Sequence, residues 1–169
     1  MIAVFLLLLV PVSPAYAAPT FQAAGTAVSG TGGDNVSPAW PAHAIDDIAL
    51  FFVETADGDA ITLSPSAGFV EVTNSPQDAA VTGTAGTRLT VFWARATSTS
   101  MAAPTITGID NHVYAQIITY RGVITFGNPW DVTGGGVKTP ASATVTVTGV
   151  TTTVADTLIV QAVARDNDS

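Results

Sequence analysis

Short apolar runs, separated by clusters of Gly, Pro, Asn, Asp and Ser, follow one another along this chain. No window shows a convincing 3.6-residue periodicity, and Gly or Pro interrupts most candidate helices. Short strands at such spacing are typical of antiparallel sandwiches rather than of βαβ units. The pattern predicts an all-β fold, an antiparallel β-sandwich of jelly-roll type. Its strands are predicted at 21–28, 48–53, 61–63, 69–73, 89–94, 113–120, 144–148 and 158–163.

Two of the predicted strands are apolar on both faces. They are IALFFV at 48–53 and LTVFWA at 89–94. A strand of a sandwich has one face on the core and one in solvent, so it should alternate apolar and polar residues. Surplus apolar surface is either covered by loops or marks an interface. The pattern favours a module that packs against copies of itself or within a larger assembly.

Charge is scarce and unevenly placed. Charged residues make up 11% of the chain and the net charge is −8, whereas an ordinary soluble domain is about 25% charged. Residues 1–87 contain no Lys or Arg, and the five basic residues all follow position 87. This distribution offers no basic footprint for phosphate backbones, so nucleic acid is excluded as the main partner.

Residues 1–17 resemble an export signal. A nine-residue apolar run, Ile2 to Val10, precedes the small-x-small pattern Ala15-Tyr16-Ala17, and the run is too short to span a bilayer. No Lys or Arg precedes the run, which leaves a mis-assigned start codon and a retained anchor as alternatives. We expect residues 1–17 to be a signal peptide and residues 18–169 to form a single β-sandwich domain.

The chain has no cysteine and ends directly after an apolar run. Without cysteine there is no disulfide framework and no thiolate metal site. Because the sequence stops at Ser169, just beyond the apolar run 158–163, we expect that closing strands are missing at the C-terminal end.

Catalytic and metal-binding patterns are weak. There is no Gly-x-Ser-x-Gly elbow, and the two histidines, His43 and His112, lie in a Pro-rich loop and at a strand entrance. The Asp-Gly-Asp at 57–59 and Asp-Asn-Asp at 166–168 lack the longer ligand spacing of a calcium loop. We therefore predict no catalytic residues, no metal site and no cofactor.

Three aromatic residues are the candidate ligand-binding positions. Trp40 and Trp130 lie in Pro-containing loops and Tyr120 closes the strand 113–120. Exposed rings in such places stack on sugar faces or anchor protein interfaces, although each loop could also tuck its ring over the end of the core. Trp93, inside a strand, is predicted to belong to the core.

Three segments carry a resemblance. RLTVFWAR at 88–95, HVYAQIITYRGV at 112–123 and GNPWD at 127–131 resemble uncharacterised β-sandwich proteins of tailed bacteriophages and prophages, across residues 19–165. The resemblance implies a virion-associated or surface-displayed role and supplies no catalytic residues. The signal-like leader departs from it, because virion proteins assemble in the cytoplasm.

These observations leave three functional hypotheses. The first is a non-enzymatic structural or adhesive module that acts through apolar and aromatic surface contacts in an oligomer or a virion. The second is a secreted glycan-binding module that uses Trp40, Tyr120 and Trp130. The third is a non-catalytic fragment of a larger polysaccharide-active protein. If the leader is cleaved, we expect the protein to be secreted or displayed at the cell surface; the alternative is that it is virion-associated.

Overall fold

The structure, a computed structural model, describes residues 18–56, 58–78, 86–138, 144, 146–147 and 149–165. These residues form nine strands and no helix. Every pairing between the strands is antiparallel, which confirms the predicted all-β antiparallel fold class. The strands are β1 (Thr20–Ala24), β2 (Val28–Thr31), β3 (Ile48–Ala56), β4 (Thr62–Leu63), β5 (Val70–Glu71), β6 (Gln77–Asp78), β7 (Thr87–Arg95), β8 (Ile106–Thr107) and β9 (His112–Arg121).

Seven of these strands form one sheet built on three long neighbours. Strand β3 lies in the middle, between β9 and β7. Strands β1 and β2 both pair with the far edge of β9, and β5 and β6 both pair with the far edge of β7. The remaining strands, β4 and β8, form a two-stranded sheet. An isolated antiparallel bridge joins Val36 to Ile106 of β8, so the backbone at Val36 lies beside this small sheet.

The hydrophobic core lies on one face of the large sheet, the inner face. Residues directly opposite on antiparallel strands point to the same side, and Phe51 of β3 lies opposite both Phe92 and Ile117. The small sheet and adjacent loops cover this face with side chains such as Ile106 and Phe69. The core comprises Val36, Ala49, Phe51, Val53, Phe69, Phe92, Ala94, Ile106, Ile109, Val113, Ala115 and Ile117. A second complete sheet is not seen among the described residues, so the sandwich and jelly-roll detail stays a prediction.

The first predicted strand, 21–28, is divided into β1 and β2 at Gly25. The Gly25 N–H still donates to the carbonyl of Ile117 on β9 at 2.8 Å. A Cβ at Gly25 would lie 3.0 Å from the carbonyl oxygen of Ala39 and 3.2 Å from that of Ile117. The chain therefore passes between two backbones at a place where a side chain has little room.

An ion pair closes one end of the large sheet. Asp47, directly before β3, accepts hydrogen bonds from Arg121 Nε at 2.9 Å and Arg121 Nη2 at 2.7 Å, at the end of β9. The Ala44 N–H donates to the same carboxylate at 2.7 Å. Burial raises the pKa of Asp47, but the hydrogen bonds from Arg121 and Ala44 outweigh burial and hold the pKa below its ordinary value.

The predicted and observed strands differ in the short elements and near the C-terminal end. Strands β6 and β8 were not predicted, and each has only two residues. The apolar run 158–163 was predicted to be a strand but pairs with no strand in the described part of the chain. The predicted strand 144–148 lies partly outside the described residues. The predicted signal peptide, residues 1–17, lies wholly outside them.

Candidate functional site

The face of the large sheet opposite the core, the outer face, carries apolar side chains on all three long strands. It is defined by alternate residues of β3 and by the residues opposite them. Ile48 lies opposite Tyr120 and Arg95, and Leu50 lies opposite Ile118 and Trp93. The next two rows consist of Phe52 with Gln116 and Val91, and of Glu54 with Tyr114 and Leu89.

The centre of the outer face is apolar and only half-buried. Leu50 and Phe52 of β3, Ile118 of β9 and Trp93 of β7 are all partly exposed, whereas Phe51, between the first two, is fully buried. The same three strands therefore carry large apolar side chains on both faces but enclose them on one face only. This arrangement agrees with the two-faced pattern of the sequence.

Exposed apolar residues lie at the rim of the outer face. Phe21 of β1 lies opposite Tyr120 and is 60% exposed. Val70 of β5 lies opposite Trp93 and is 54% exposed. The ring of Phe21 meets that of Tyr120 edge-on at 6.5 Å between centroids. Apolar surface thus continues outward across both edge strands of the sheet.

The Gly127–Trp130 corner covers part of the outer face. The Trp130 ring lies edge-to-face on Trp93, with centroids 5.5 Å apart and an angle of 89°. The Arg95 guanidinium donates to the carbonyls of Gly127 at 3.5 Å and Asp46 at 3.4 Å. The corner is therefore attached to β7 and shields Trp93 from one side.

The three ligand-binding residues predicted from the sequence are not brought together. Trp40 belongs to the inner face, where its ring packs at 5.3 Å from Phe69 and 4.9 Å from His43. Tyr120 and Trp130 belong to the outer face. Tyr120 is buried, and burial raises the pKa of its phenol. Trp40 Nε1 is buried without a hydrogen-bond partner among the described residues.

The chain beyond the corner passes beside Asn74, between β5 and β6, and then runs exposed. Asn74 Nδ2 donates to the backbone carbonyl of Thr133 at 3.0 Å. Asp131 accepts from the Thr153 hydroxyl and from the Thr153 and Val154 N–H groups, which together hold the pKa of Asp131 below its ordinary value. Apolar side chains of this segment are in solvent: Ile159 is 73% exposed.

A shallow cleft of about 560 Å³ lies at the polar end of the outer face. Its lining includes Tyr114, which is 53% exposed, and Glu54, directly opposite it. The His112 Nε2 atom lies 3.7 Å from Glu54 Oε1, and the Thr87 hydroxyl donates to the same oxygen at 2.8 Å. Neither Tyr114 nor Glu54 was predicted from the sequence. The alternation of side chains along the strand could have indicated Tyr114, because Tyr114 and the polar Gln116 lie on the same face of β9.

The described part of the chain offers no metal cluster and no membrane-spanning helix. In residues 18–56, 58–78, 86–138, 144, 146–147 and 149–165, no group of three or more His, Cys, Asp or Glu side chains could hold a metal ion. These same residues contain no helix with the length and hydropathy that a bilayer crossing requires.

Comparison with known proteins finds no matching family model, no similar curated protein and no matching solved structure.

Proposed function

We propose that this protein is a non-enzymatic structural or adhesive β-module that associates through its outer face with further copies of itself in an oligomer or a virion. The observation that carries the proposal is the half-buried apolar centre formed by Leu50, Phe52, Trp93 and Ile118, bordered by exposed Phe21. Apolar surface that stays partly exposed across three neighbouring strands is typical of a contact site.

Charge supports the same proposal. The paired rows across the centre, from Leu50 to Phe52 of β3, contain no charged side chain on β3, β7 or β9. Arg95 and Glu54 lie one row beyond this centre at either end. Depletion of charge at the centre, with polar residues at the margin, is the usual composition of a protein–protein contact.

The environment in which the module works is proposed from the resemblance to phage proteins. That resemblance favours a virion-associated or surface-displayed role, and the export-like leader favours secretion. Apolar and aromatic contacts between copies serve either setting. In both settings the contact is apolar and uncharged.

The three aromatic residues chosen from the sequence carry no glycan-binding proposal. Trp40 faces the core, whereas Tyr120 and Trp130 belong to the opposite face of the sheet. Rings on opposite faces do not form one stacking platform.

Sedimentation equilibrium of the full chain, from low micromolar to near-millimolar concentration, tests the association. We expect the wild-type protein to shift from monomer to a defined oligomer as its concentration rises. Leu50→Ser should shift this equilibrium towards monomer by about ten-fold or more, because a polar hydroxyl replaces a side chain that the contact would bury.

The matched control is Ile45→Ser, which removes an exposed apolar side chain from a loop outside the outer-face rows. It should associate like the wild-type protein. A wild-type protein that is monomeric at every concentration contradicts the proposal. Equal weakening by Leu50→Ser and Ile45→Ser contradicts the assignment to the outer face.

A further inference from the structure

The cleft at the polar end of the outer face is built from three adjacent strands. Ser29 of β2, Tyr114 of β9 and Glu54 of β3 form one cross-strand row. His112 lies two residues before Tyr114 on β9, on the same side, and Thr31 lies opposite it. Because the strands are hydrogen-bonded neighbours, the side chains are held in a fixed array rather than on separate loops.

The aromatic ring in the cleft is accessible. Tyr114 is 53% exposed, whereas Tyr120, six residues further along the same strand, is buried. Trp40 and Trp130 pack against Phe69 and Trp93. Tyr114 thus offers a ring to a flat apolar partner without disturbing the core.

Hydrogen-bonding capacity surrounds that ring. Glu54 is 18% exposed in its side chain and uses Oε1 for the Thr87 hydroxyl. Asp34 also lines the cleft, where its Oδ2 accepts from the Thr31 N–H at 2.8 Å and the Thr31 hydroxyl at 3.2 Å. The second oxygen of each carboxylate accepts no hydrogen bond from the described residues, so each can accept one from a ligand.

The charge of the cleft selects among ligands. Two carboxyl side chains, Asp34 and Glu54, line the cleft beside His112, none of its lining residues is Lys or Arg, and the whole chain has a net charge of −8. An anionic ligand is therefore repelled, whereas a neutral molecule with several hydroxyls donates well to carboxylates. A pyranose combines an apolar ring face that can stack on Tyr114 with hydroxyls that can donate to these carboxylates.

We propose that the cleft formed by Ser29, Thr31, Asp34, Glu54, His112 and Tyr114 is a binding site for a neutral saccharide, with one pyranose stacked on Tyr114. Glu54 lies four residues along β3 from Leu50, about 13 Å at the rise of a strand. The cleft therefore lies at the polar margin of the proposed contact, and saccharide binding is tested separately from self-association.

Amide chemical shifts of the full ¹⁵N-labelled chain test the site, with methyl β-glucoside, methyl β-galactoside and methyl α-mannoside as neutral probes. At least one probe should shift the amides of Ser29, Thr31, His112 and Tyr114 saturably, with weak affinity. Tyr114→Ala should weaken that binding by about ten-fold, the loss expected from one stacking contact. Phe126→Ala, which removes an exposed ring that does not line the cleft, should bind like the wild-type protein.

An anionic probe completes the test. Methyl β-glucuronide should bind several-fold more weakly than the best neutral probe, and Glu54→Gln should narrow that difference. The proposal is overturned if no neutral probe shifts the four cleft amides. It is equally overturned if Tyr114→Ala retains wild-type affinity, or if the glucuronide binds as tightly as the neutral probes. Because the shifts are mapped on the wild-type chain, the site is tested even if a variant fails to fold.

Discussion

The inner and outer faces of the large sheet have similar side chains and different surroundings. On β3, Phe51 points inward and is fully buried, whereas Phe52 points outward and is only partly buried. The inner face is covered by β4, β8 and adjacent loops, whereas Trp130 covers one part of the outer face. The comparison shows that the composition of a strand does not decide which of its faces becomes core. What packs against each face decides it.

The largest expected effect is a stability difference between two adjacent phenylalanines. Phe51→Ala should lower the free energy of unfolding by about 3–5 kcal/mol, because it leaves a cavity among close-packed core side chains. Phe52→Ala should cost less than half as much, because its side chain keeps contact with solvent in the monomer. Urea denaturation at low protein concentration measures both values. Equal losses would show that the two faces are equally buried.

Asp47→Ala should have the next largest effect on stability. Asp47 joins the start of β3 to the end of β9, and these two strands contribute side chains to both faces. It removes the acceptor for Arg121 and for the Ala44 N–H, and should lower the free energy of unfolding by about 1–3 kcal/mol, as measured by urea denaturation. Arg121 is half-exposed in its side chain, so water compensates part of the loss.

The same carboxylate should make stability depend on pH. The pKa of Asp47 is lowered in the folded protein from its ordinary value of 3.8. Its contribution is therefore fully present above the unfolded pKa and is lost as the pH falls through the folded pKa. Thermal unfolding between neutral and acid pH should show that the melting temperature of Asp47→Asn falls less steeply with decreasing pH than that of the wild-type protein. An equally steep fall in both proteins would contradict this role.

Trp130→Ala sharpens the comparison on the outer face itself. The edge-to-face contact with Trp93 should contribute about 0.5–1.5 kcal/mol beyond the area that it buries. Its loss, together with the lost burial of the ring, should lower the free energy of unfolding by at least this amount and shift tryptophan fluorescence towards the red as Trp93 becomes hydrated. Trp130→Phe retains an aromatic edge and should recover most of the loss. A substitution without effect would show that the corner does not cover Trp93.

The smallest effect is expected in the exposed C-terminal segment. Ile159→Ser should change the free energy of unfolding by less than about 0.5 kcal/mol, because Ile159 is 73% exposed. The matched substitution Ile117→Ser, in the core, should be strongly destabilising. Thermal unfolding of both variants compares them directly. A large loss for Ile159→Ser would show that this side chain has a covering partner.

The sequence predicted the long strands well and the short ones poorly. The runs 48–53, 89–94 and 113–120 all lie inside observed strands that are slightly longer. Strand β6 consists of Gln77 and Asp78, which have no apolar signal and pair because the chain passes beside β7. The run 158–163 shows the opposite: its pattern is that of a strand, yet no described strand pairs with it. Ladder formation needs a neighbour, which a local pattern does not supply.

The candidate sites depended on register, which the sequence does not show. The two-faced pattern of 48–53 and 89–94 predicted surplus apolar surface, and the structure leaves Leu50 half-buried. The prediction that Trp93 belongs to the core was wrong, because Trp93 lies opposite Leu50 on the outer face and is also half-buried. Trp40 and Trp130 were selected for their loops, but both rings pack on neighbouring aromatic residues. Tyr114 lies inside a predicted strand and was not among the predicted ligand-binding residues. Its proximity to Glu54 follows only from the pairing of β9 with β3.

Hydroxyl-radical footprinting of the wild-type chain at low micromolar and near-millimolar concentration tests most directly whether the outer face is the contact surface. We expect Phe52, Trp93 and Ile118 to be labelled at low concentration and protected at high concentration. Phe51 and Ile117 should be unlabelled at both, and Ile45 labelled equally at both. Labelling of the outer-face residues that does not change with concentration would contradict the proposed self-association.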